Sequence, residues 1–173
     1  MEVDADHIKR VTYRVDGFAE ITQKLAELGV QKERESSSTH YYTVQPNNDV
    51  VKLVRHSDDC EVHMLKEESG KFTLTDRIRL KNVSEGVKWL RDNGYDRVAV
   101  VTMKHTDYLY KDGIVGLYVI NGVLYSMILD FVPGEHTAIA EELGIEGADL
   151  IKLPYNKYLE QRGELEAVSL AQL

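Results

Sequence analysis

The chain has 173 residues, a formal net charge of −8 and a single cysteine, Cys60. Its hydrophobic share of 43% and charged share of 29% are typical of a globular protein, and one cysteine excludes an internal disulfide and a Cys-rich zinc site. No segment is apolar enough for a membrane span, the first residues are too polar for a signal peptide, and the acidic balance argues against nucleic-acid binding by the whole surface. We therefore expect a cytoplasmic protein that is not attached to a membrane.

The first part of the chain predicts a strand, a helix and three further strands. Residues 7–15 alternate between basic or hydroxyl-bearing side chains and apolar ones, the period of a strand with two unlike faces. Asp16 is expected to cap a helix whose apolar residues recur at helical spacing until Gly29. The next strands are predicted at residues 40–44, 50–55 and 61–66, the last two as a hairpin.

Strict alternation continues over residues 71–80 and predicts another strand. The apolar face holds Phe72, Leu74, Ile78 and Leu80, and the polar face holds Thr73, Thr75, Arg77 and Arg79. Because guanidinium groups match the oxygens of phosphates and carboxylates, an anion is the expected ligand of the polar face. The alternative is a solvated outer face whose arginines pair with acidic residues of the chain.

The second half predicts a helix, a series of antiparallel strands and two closing helical segments. Ser84 is expected to cap a helix that ends at Asn93-Gly94. The dipeptide Asn121-Gly122 is a strong signal for a tight hairpin. The strands are predicted at 97–104, 108–111, 114–120 and 123–132, and the helical segments at 135–143 and 149–162.

About eight strands and four helices, with many strands joined by hairpins, favour an α+β fold. The expected architecture is an antiparallel eight-stranded β-barrel or tunnel, closed or nearly closed, with flanking helices. We expect one domain over residues 1–163 and a C-terminal tail over residues 164–173.

Six segments match a known pattern: HYY at 40–42, VVKLVR at 50–55, HMLK at 63–66, RIRL at 77–80, YLYKDG at 108–113 and PYNKYL at 154–159. With the order of elements, they resemble the CYTH family, the triphosphate tunnel enzymes that include class IV adenylate cyclases, thiamine triphosphatases and tripolyphosphatases. The likeness covers residues 7–162 and is one of pattern more than of signature residues. It implies an eight-stranded tunnel in which basic residues bind a triphosphate and acidic residues hold Mg²⁺ or Mn²⁺.

The family's metal-binding acids are nearly all missing from the matching positions. Its first strand carries Glu-x-Glu-x-Lys, whereas the corresponding face here carries Arg10, Thr12 and Arg14. Its Arg-x-Glu-x-Glu strand is matched by Thr75-x-Arg77-x-Arg79, so two bases replace two acids. A hard divalent cation needs several oxygen ligands. We therefore expect no resident metal, no other cofactor and no metal-dependent catalysis, and we assign no catalytic residue.

Basic residues at family-like positions make up the predicted anion site. Lys52 matches the first basic position of the family's Leu-Arg-x-Arg strand, with Arg55 near the second, and Lys66 matches its tunnel lysine. The family's later Lys-x-Arg pair falls on Met103 and His105, with Lys104 between them. The predicted anion-binding residues are Arg10, Arg14, Lys52, Arg55, Lys66, Arg77, Arg79, Lys104 and His105.

Three hypotheses of function follow. The favoured one is a CYTH-like tunnel protein that binds a small phosphorylated ligand, namely a nucleotide, triphosphate or polyphosphate, without the family's metal-dependent catalysis. The second is a divergent triphosphatase or class IV adenylate cyclase-like enzyme that uses Mg²⁺ or Mn²⁺ and recruits Asp76, Asp107 or Asp130. The third is a structural or partner-binding protein with a vestigial tunnel, whose arginines pair with internal carboxylates such as Glu61. A homodimer that pairs through edge or rim surfaces stays open.

Overall fold

The computed structural model describes residues 9–57 and 59–173. Residues 7 and 8 of the first predicted strand and residue 58 of the predicted hairpin loop lie outside the described residues. The chain divides into two compact units. Unit 1 comprises the described residues up to Ser36 together with Lys104–Ile151, and unit 2 comprises Ser37–Met103 and Lys152–Leu173. Within the described ranges, every helix is too short or too polar to cross a lipid bilayer.

Over residues 9–57 and 59–173, the structure has nine strands and four α-helices. The elements of the first half are β1 Lys9–Val15, α1 Ala19–Glu27, β2 Lys32–Thr43, β3 Val50–His56, β4 Asp59–Glu68, β5 Lys71–Leu80 and α2 Val83–Asp92. Those of the second half are β6 Arg97–Tyr110, β7 Gly113–Ile120, β8 Leu124–Phe131, α3 His136–Glu142, α4 Tyr155–Gln161 and β9 Val168–Ser169.

The strands form one antiparallel sheet with the order β1-β8-β7-β6-β2-β3-β4-β5, and β9 pairs with β6. This confirms the predicted α+β class and the eight antiparallel strands, with a short ninth strand added. The expected closure needs correction. Among the described strands the sheet is not closed, because β1 and β5 each pair with only one neighbour and stand at its two ends.

In unit 1, helices α1 and α3 pack on the apolar face of β7 and β8. The registers Val11↔Leu129 and Val115↔Leu129 place the apolar positions of three strands on one face, because directly paired residues point to the same side of a sheet. The core holds Ile21 and Leu25 of α1, Val115 and Leu117 of β7, Met127, Leu129 and Phe131 of β8, and Ile139 of α3. Arg10, Thr12 and Arg14 therefore lie on the opposite face.

In unit 2, helix α2 packs on the apolar face of the strands β2 to β5. The buried core residues are Tyr41, Leu53, Cys60, Val62, Leu90, Val98 and Leu170. A Cβ atom at Gly86 would lie 2.4 Å from Leu53 Cδ1, so the glycine is what lets α2 approach β3 this closely. The polar positions of β3, β4 and β5 point to the other side.

Both predicted helix caps are wrong by two residues. Helix α1 begins at Ala19, with Phe18 rather than Asp16 at the cap position. Helix α2 is capped by Asn82 rather than Ser84, because the Asn82 side chain accepts the Glu85 backbone N–H at 2.9 Å. An asparagine oxygen satisfies an otherwise unpaired amide of the first turn as well as serine does.

Several element boundaries also differ from the sequence prediction. Strand β2 begins at Lys32, through a charged and Ser-rich stretch that the sequence did not predict as a strand, and β6 is continuous where two strands were expected. The segment before Pro154 is extended instead of helical, because the Arg14 and Ile151 amides donate to Asp149 and Thr12 carbonyls at 2.8 and 2.9 Å. The expected tail includes β9.

Candidate functional site

Cross-strand pairing in unit 2 gathers polar side chains on the face opposite α2. One row across the sheet pairs Tyr42 with Lys52, Lys52 with His63, and His63 with Arg77. In the neighbouring row Glu61 pairs with Arg79. Paired residues on one face of an antiparallel sheet have neighbouring side chains. We name the group formed by Lys52, Glu61, His63, Arg77 and Arg79 the cationic cluster.

Glu61 is the buried carboxylate at the centre of the cationic cluster. Its side chain is only 6% exposed and accepts hydrogen bonds from Arg77 Nε at 2.7 Å, Arg77 Nη2 at 3.0 Å and Arg79 Nε at 3.3 Å. The Arg77 hydrogen bonds outweigh the effect of burial and lower the pKa of Glu61 to about 2. Glu61 is therefore ionised at neutral pH and can only accept hydrogen bonds.

His63 is oriented by this carboxylate. Its Nε2 lies 2.8 Å from Glu61 Oε2, and because an ionised carboxylate cannot donate, Nε2 carries the proton and Nδ1 carries a lone pair. Burial lowers the pKa of His63, and the nearby Lys52 and Arg77 charges lower it further, although Glu61 opposes them. The ring is therefore neutral at neutral pH.

Lys52 lies over an aromatic ring at the other end of the row. Its Nζ lies 4.9 Å from the centroid of Tyr42 and 3.3 Å from the Tyr42 hydroxyl, to which it donates. Tyr42 is 4% exposed, and burial raises the pKa of its hydroxyl, so the phenol is neutral. Lys52 Nζ therefore contacts both the hydroxyl group and the π face of a neutral phenol.

The cationic cluster has an excess of positive charge. Arg77 and Arg79 carry two positive charges against the one negative charge of Glu61, while His63 is neutral. The side chains of Arg77 and Arg79 are 55% and 84% exposed. Glu61 accepts from Nε and Nη2 of Arg77 and from Nε of Arg79, so Nη1 of Arg77 and both Nη atoms of Arg79 can donate to a ligand.

Two of the predicted anion-binding residues of unit 2 lie on the opposite face. Arg55 pairs with Cys60, three positions from Lys52, and an odd number of residues along a strand reverses the direction of the side chain. It lines a cavity of about 480 Å³ beside the start of α2. Lys66 is three positions after His63, so its side chain also points to the opposite face. It is exposed, and its Nζ lies 4.0 Å from Glu68 Oε1. The structure does not bring either residue to the cationic cluster.

The polar face of unit 1 is charge-balanced. Arg10 donates to both oxygens of Asp130, at 3.1 and 3.2 Å. Arg34 Nη2 donates to Asp107 Oδ2 at 3.1 Å. The sequence had singled out Arg10 but not Arg34, which lies in the stretch where no strand was predicted. Two arginines therefore meet two aspartates, so these pairs leave no net charge for a ligand.

The remaining predicted residues of unit 1 are distributed around these pairs. His105 stacks on Tyr118, with ring centroids 4.8 Å apart, and its Nε2 lies 3.7 Å from Asp107 Oδ2. Lys104 is exposed and, as the neighbour of His105 in β6, points to the other face. Arg14 Nη1 lies 3.9 Å from Asp149 Oδ2 at the surface.

The three aspartates that the enzyme hypothesis names are not brought together as a metal site in the described part of the chain. In the part of the chain that the structure describes, no group of three or more His, Cys, Asp or Glu residues is placed to hold a metal ion. Asp107 and Asp130, which the enzyme hypothesis would recruit, are engaged by Arg34 and Arg10. Asp76 is exposed on β5, and its side chain accepts the Arg77 backbone N–H at 2.8 Å. The donor set does not fit Mg²⁺ or Mn²⁺.

Comparison with known proteins gives a likeness of fold. No family model and no curated protein matches the sequence. The PH1012 protein from Pyrococcus horikoshii OT3 superposes with a TM-score of 0.72 at 14% identity, over 86% of this chain and 96% of that chain. A candidate adenylate cyclase from Vibrio parahaemolyticus superposes with a TM-score of 0.66 at 12% identity, over 89% and 98%.

A candidate adenylyl cyclase from Hippeastrum, HpAC1, described as having a dominant triphosphatase activity, superposes with a TM-score of 0.58 at 11% identity, over 91% of this chain and 96% of that chain. At such identities the likeness establishes the fold and nothing about activity. The chain shares the fold of these solved structures, two of which are described as candidate adenylate or adenylyl cyclases, and this agrees at the level of the fold with the resemblance seen in the sequence.

Proposed function

We propose that the protein is a CYTH-like tunnel protein that binds a phosphorylated anion, namely a nucleotide, a triphosphate or a polyphosphate, at the cationic cluster of unit 2. The single observation that carries this proposal is that two guanidinium groups, those of Arg77 and Arg79, meet around one carboxylate, Glu61, on a sheet face. Such an excess of positive charge, set among strands of a predominantly acidic protein, attracts an anion locally.

The chemistry of the cationic cluster suits phosphate oxygens. Glu61 holds Arg77 in a fixed orientation through two hydrogen bonds, so less side-chain entropy is lost when the remaining N–H groups bind a ligand. Guanidinium groups can bind two phosphate oxygens at once, and Lys52 adds a compact charge. A chain of several phosphates can contact all three cations.

Binding without metal-dependent catalysis is the second part of the proposal. Where the resemblance implies metal-binding acids, the chain carries Arg77 and Arg79. Positive side chains repel a divalent cation and neutralise the charge of the ligand themselves, so the metal-bridged phosphoryl chemistry of P-loop and kinase type has no counterpart here.

Calorimetry tests the proposal with tripolyphosphate and ATP as probes, in low salt with EDTA. We expect wild-type protein to bind and Arg79→Gln to bind more weakly. Lys66→Gln is the matched control, since it removes one positive charge from the neighbouring strand but from the opposite face. Absence of binding by the wild type contradicts the proposal, and release of phosphate that depends on Mg²⁺ or Mn²⁺ contradicts its metal-free part.

The charge-balanced face of unit 1 favours a second candidate, a structural or partner-binding protein with a vestigial tunnel. In such a protein, internal ion pairs occupy the former ligand site. The pairs of Arg10 with Asp130 and of Arg34 with Asp107 are of this kind. If no phosphorylated anion binds, and if Arg10→Gln lowers stability, this candidate is preferred.

A further inference from the structure

His63 has the geometry of a histidine prepared to react through one particular nitrogen. Its Nε2 donates to Glu61 Oε2 at 2.8 Å, which fixes both the tautomer and the orientation of the ring. Within the described ranges no protein group hydrogen-bonds to Nδ1, and the side chain is 21% exposed. The Nδ1 lone pair can therefore be reached from solvent while the rest of the ring is held.

The neighbours of His63 are the groups that a phosphoryl group needs. Lys52 is its partner on β3 and Arg77 its partner on β5, so the ring lies between two cations. Arg77 is itself held by Glu61. An anionic phosphoryl donor bound to these cations has its phosphorus next to the imidazole, and positioning of this kind lowers the barrier to reaction.

We propose that His63 Nδ1 accepts a phosphoryl group, without a metal ion, from a small activated donor of the acyl phosphate or phosphoramidate class. The inference rests on the proposed function, because the same cations must first bind the donor. It extends that function from reversible binding to a covalent, metal-independent step.

The step balances as follows. The Nδ1 lone pair forms a bond to phosphorus, and the bond from phosphorus to the leaving group breaks. With an acyl phosphate, the electron pair leaves on a carboxylate, and with N-protonated phosphoramidate it leaves on ammonia, so His63 supplies no proton in either case. The Nε2 proton stays on the ring and keeps its bond to Glu61, whose negative charge makes the imidazole a better nucleophile. Lys52 and Arg77 stabilise the phosphoryl oxygens.

Labelling of the wild-type protein with phosphoramidate tests the inference directly. The reaction is run at neutral pH with EDTA, and the product is digested and analysed by mass spectrometry under alkaline conditions and by ³¹P NMR. We expect one main acid-labile adduct, on His63 and at Nδ1. His56, in the same hairpin and also partly exposed, is the internal control and should label more slowly. Labelling of His56 as fast as His63, or no adduct on His63, overturns the inference.

Two variants separate the Glu61 contribution from ordinary histidine reactivity. Glu61→Gln keeps the shape but removes the charge, and we expect labelling at His63 to slow by about tenfold, the effect of losing one charge-assisted hydrogen bond. His56→Gln should leave the rate at His63 unchanged. If His63 in Glu61→Gln is labelled as fast as in the wild type, and circular dichroism shows that the variant is folded, then the Glu61–His63 hydrogen bond has no role and the inference is wrong.

The failure of this inference is distinguishable from failure of the proposed function. Tripolyphosphate that binds in calorimetry without any adduct from phosphoramidate overturns the covalent step and leaves the binding site in place. Absence of calorimetric binding overturns both, since the inference requires the donor to occupy the cationic cluster.

Discussion

Arg77 donates from Nε and Nη2 to the two oxygens of Glu61, at 2.7 and 3.0 Å, across the pairing of β4 with β5. One guanidinium thus binds both oxygens of a buried carboxylate and keeps N–H groups on Nη1 for a ligand. Because Glu61 can neutralise only one of the two guanidinium charges, the group formed by Arg77, Glu61 and Arg79 keeps a positive charge. The ion pair therefore fixes the orientation of Arg77 without cancelling the positive charge of the cationic cluster.

Acid should weaken this ion pair in a defined pH range. The pKa of Glu61 falls from an ordinary 4.5 to about 2 in the folded protein, through the Arg77 hydrogen bonds. A lowered folded-state pKa contributes stability that is fully present above the unfolded pKa, so this contribution is lost as the pH falls from about 4.5 towards 2. Urea denaturation over that range should show the loss.

The Glu61→Gln variant should flatten this acid-dependent part of the stability curve, since it has no carboxyl group to titrate. Glu68→Gln, at an exposed position of the same strand, is the control and should follow the wild type. An identical acid dependence in wild type and Glu61→Gln would assign the loss to other carboxylates.

Anion binding should depend on Lys52 and on salt. Lys52→Met keeps most of the side-chain length and its contact with Tyr42 but removes the charge, so we expect the affinity for tripolyphosphate to fall by about tenfold. Raising the salt concentration should weaken wild-type binding, because the cations are partly exposed and are screened. Calorimetry measures both effects. If Lys52→Met binds tripolyphosphate with unchanged affinity, the binding site does not include Lys52 and lies elsewhere.

Arg10 should contribute to stability and not to anion binding. Its Nε and Nη2 donate to Asp130, whose charge balances that of Arg10, so Arg10→Gln should leave the tripolyphosphate affinity unchanged. The variant leaves a mostly buried Asp130 without its charged partner, and we expect unfolding to become easier by about 1 kcal/mol. Chemical denaturation and calorimetry on the same sample check both. A large loss of affinity would show that the polar face of unit 1 also binds the ligand.

Gly113 should tolerate no side chain. A Cβ atom there would lie 2.4 Å from the Asp130 carbonyl oxygen and 2.4 Å from the Phe131 ring, and neither the backbone nor a fully buried ring can move easily. We expect Gly113→Ala to lower the free energy of unfolding by about 1–3 kcal/mol. Gly17→Ala, where no atom lies within 4 Å, is the control and should change stability by about 0.5 kcal/mol or less.

Local alternation predicted the strand at Lys71–Leu80 with both of its ends. It also placed Arg77 and Arg79 on one face, because side-chain direction in a strand depends only on the period of two. The same rule separates Arg55 from Lys52 and Lys66 from His63, since each pair is three positions apart. It could not say which face carries the site, because that depends on the register between the strands.

Two residues of the polar sheet faces, His63 and Arg34, were not predicted from the sequence. His63 is a single histidine in a strand and belongs to no recognisable spacing, and Arg34 lies in a charged stretch that resembles a solvated loop. The available signal for His63 was its position two residues after Glu61, on the same face of a predicted strand.

The sequence by itself determined the strand pattern, the α+β class, the replacement of acids by bases and the existence of polar strand faces, since all of these follow from composition and short-range periodicity. Only the tertiary structure decided that Arg77 meets Glu61 and that Arg10 meets Asp130, and therefore which polar face keeps an excess of charge. These pairs join residues 16 and 120 positions apart. Their meeting depends on the register between whole strands, which is set by the packing of the entire sheet against its helices and not by any local run of residues.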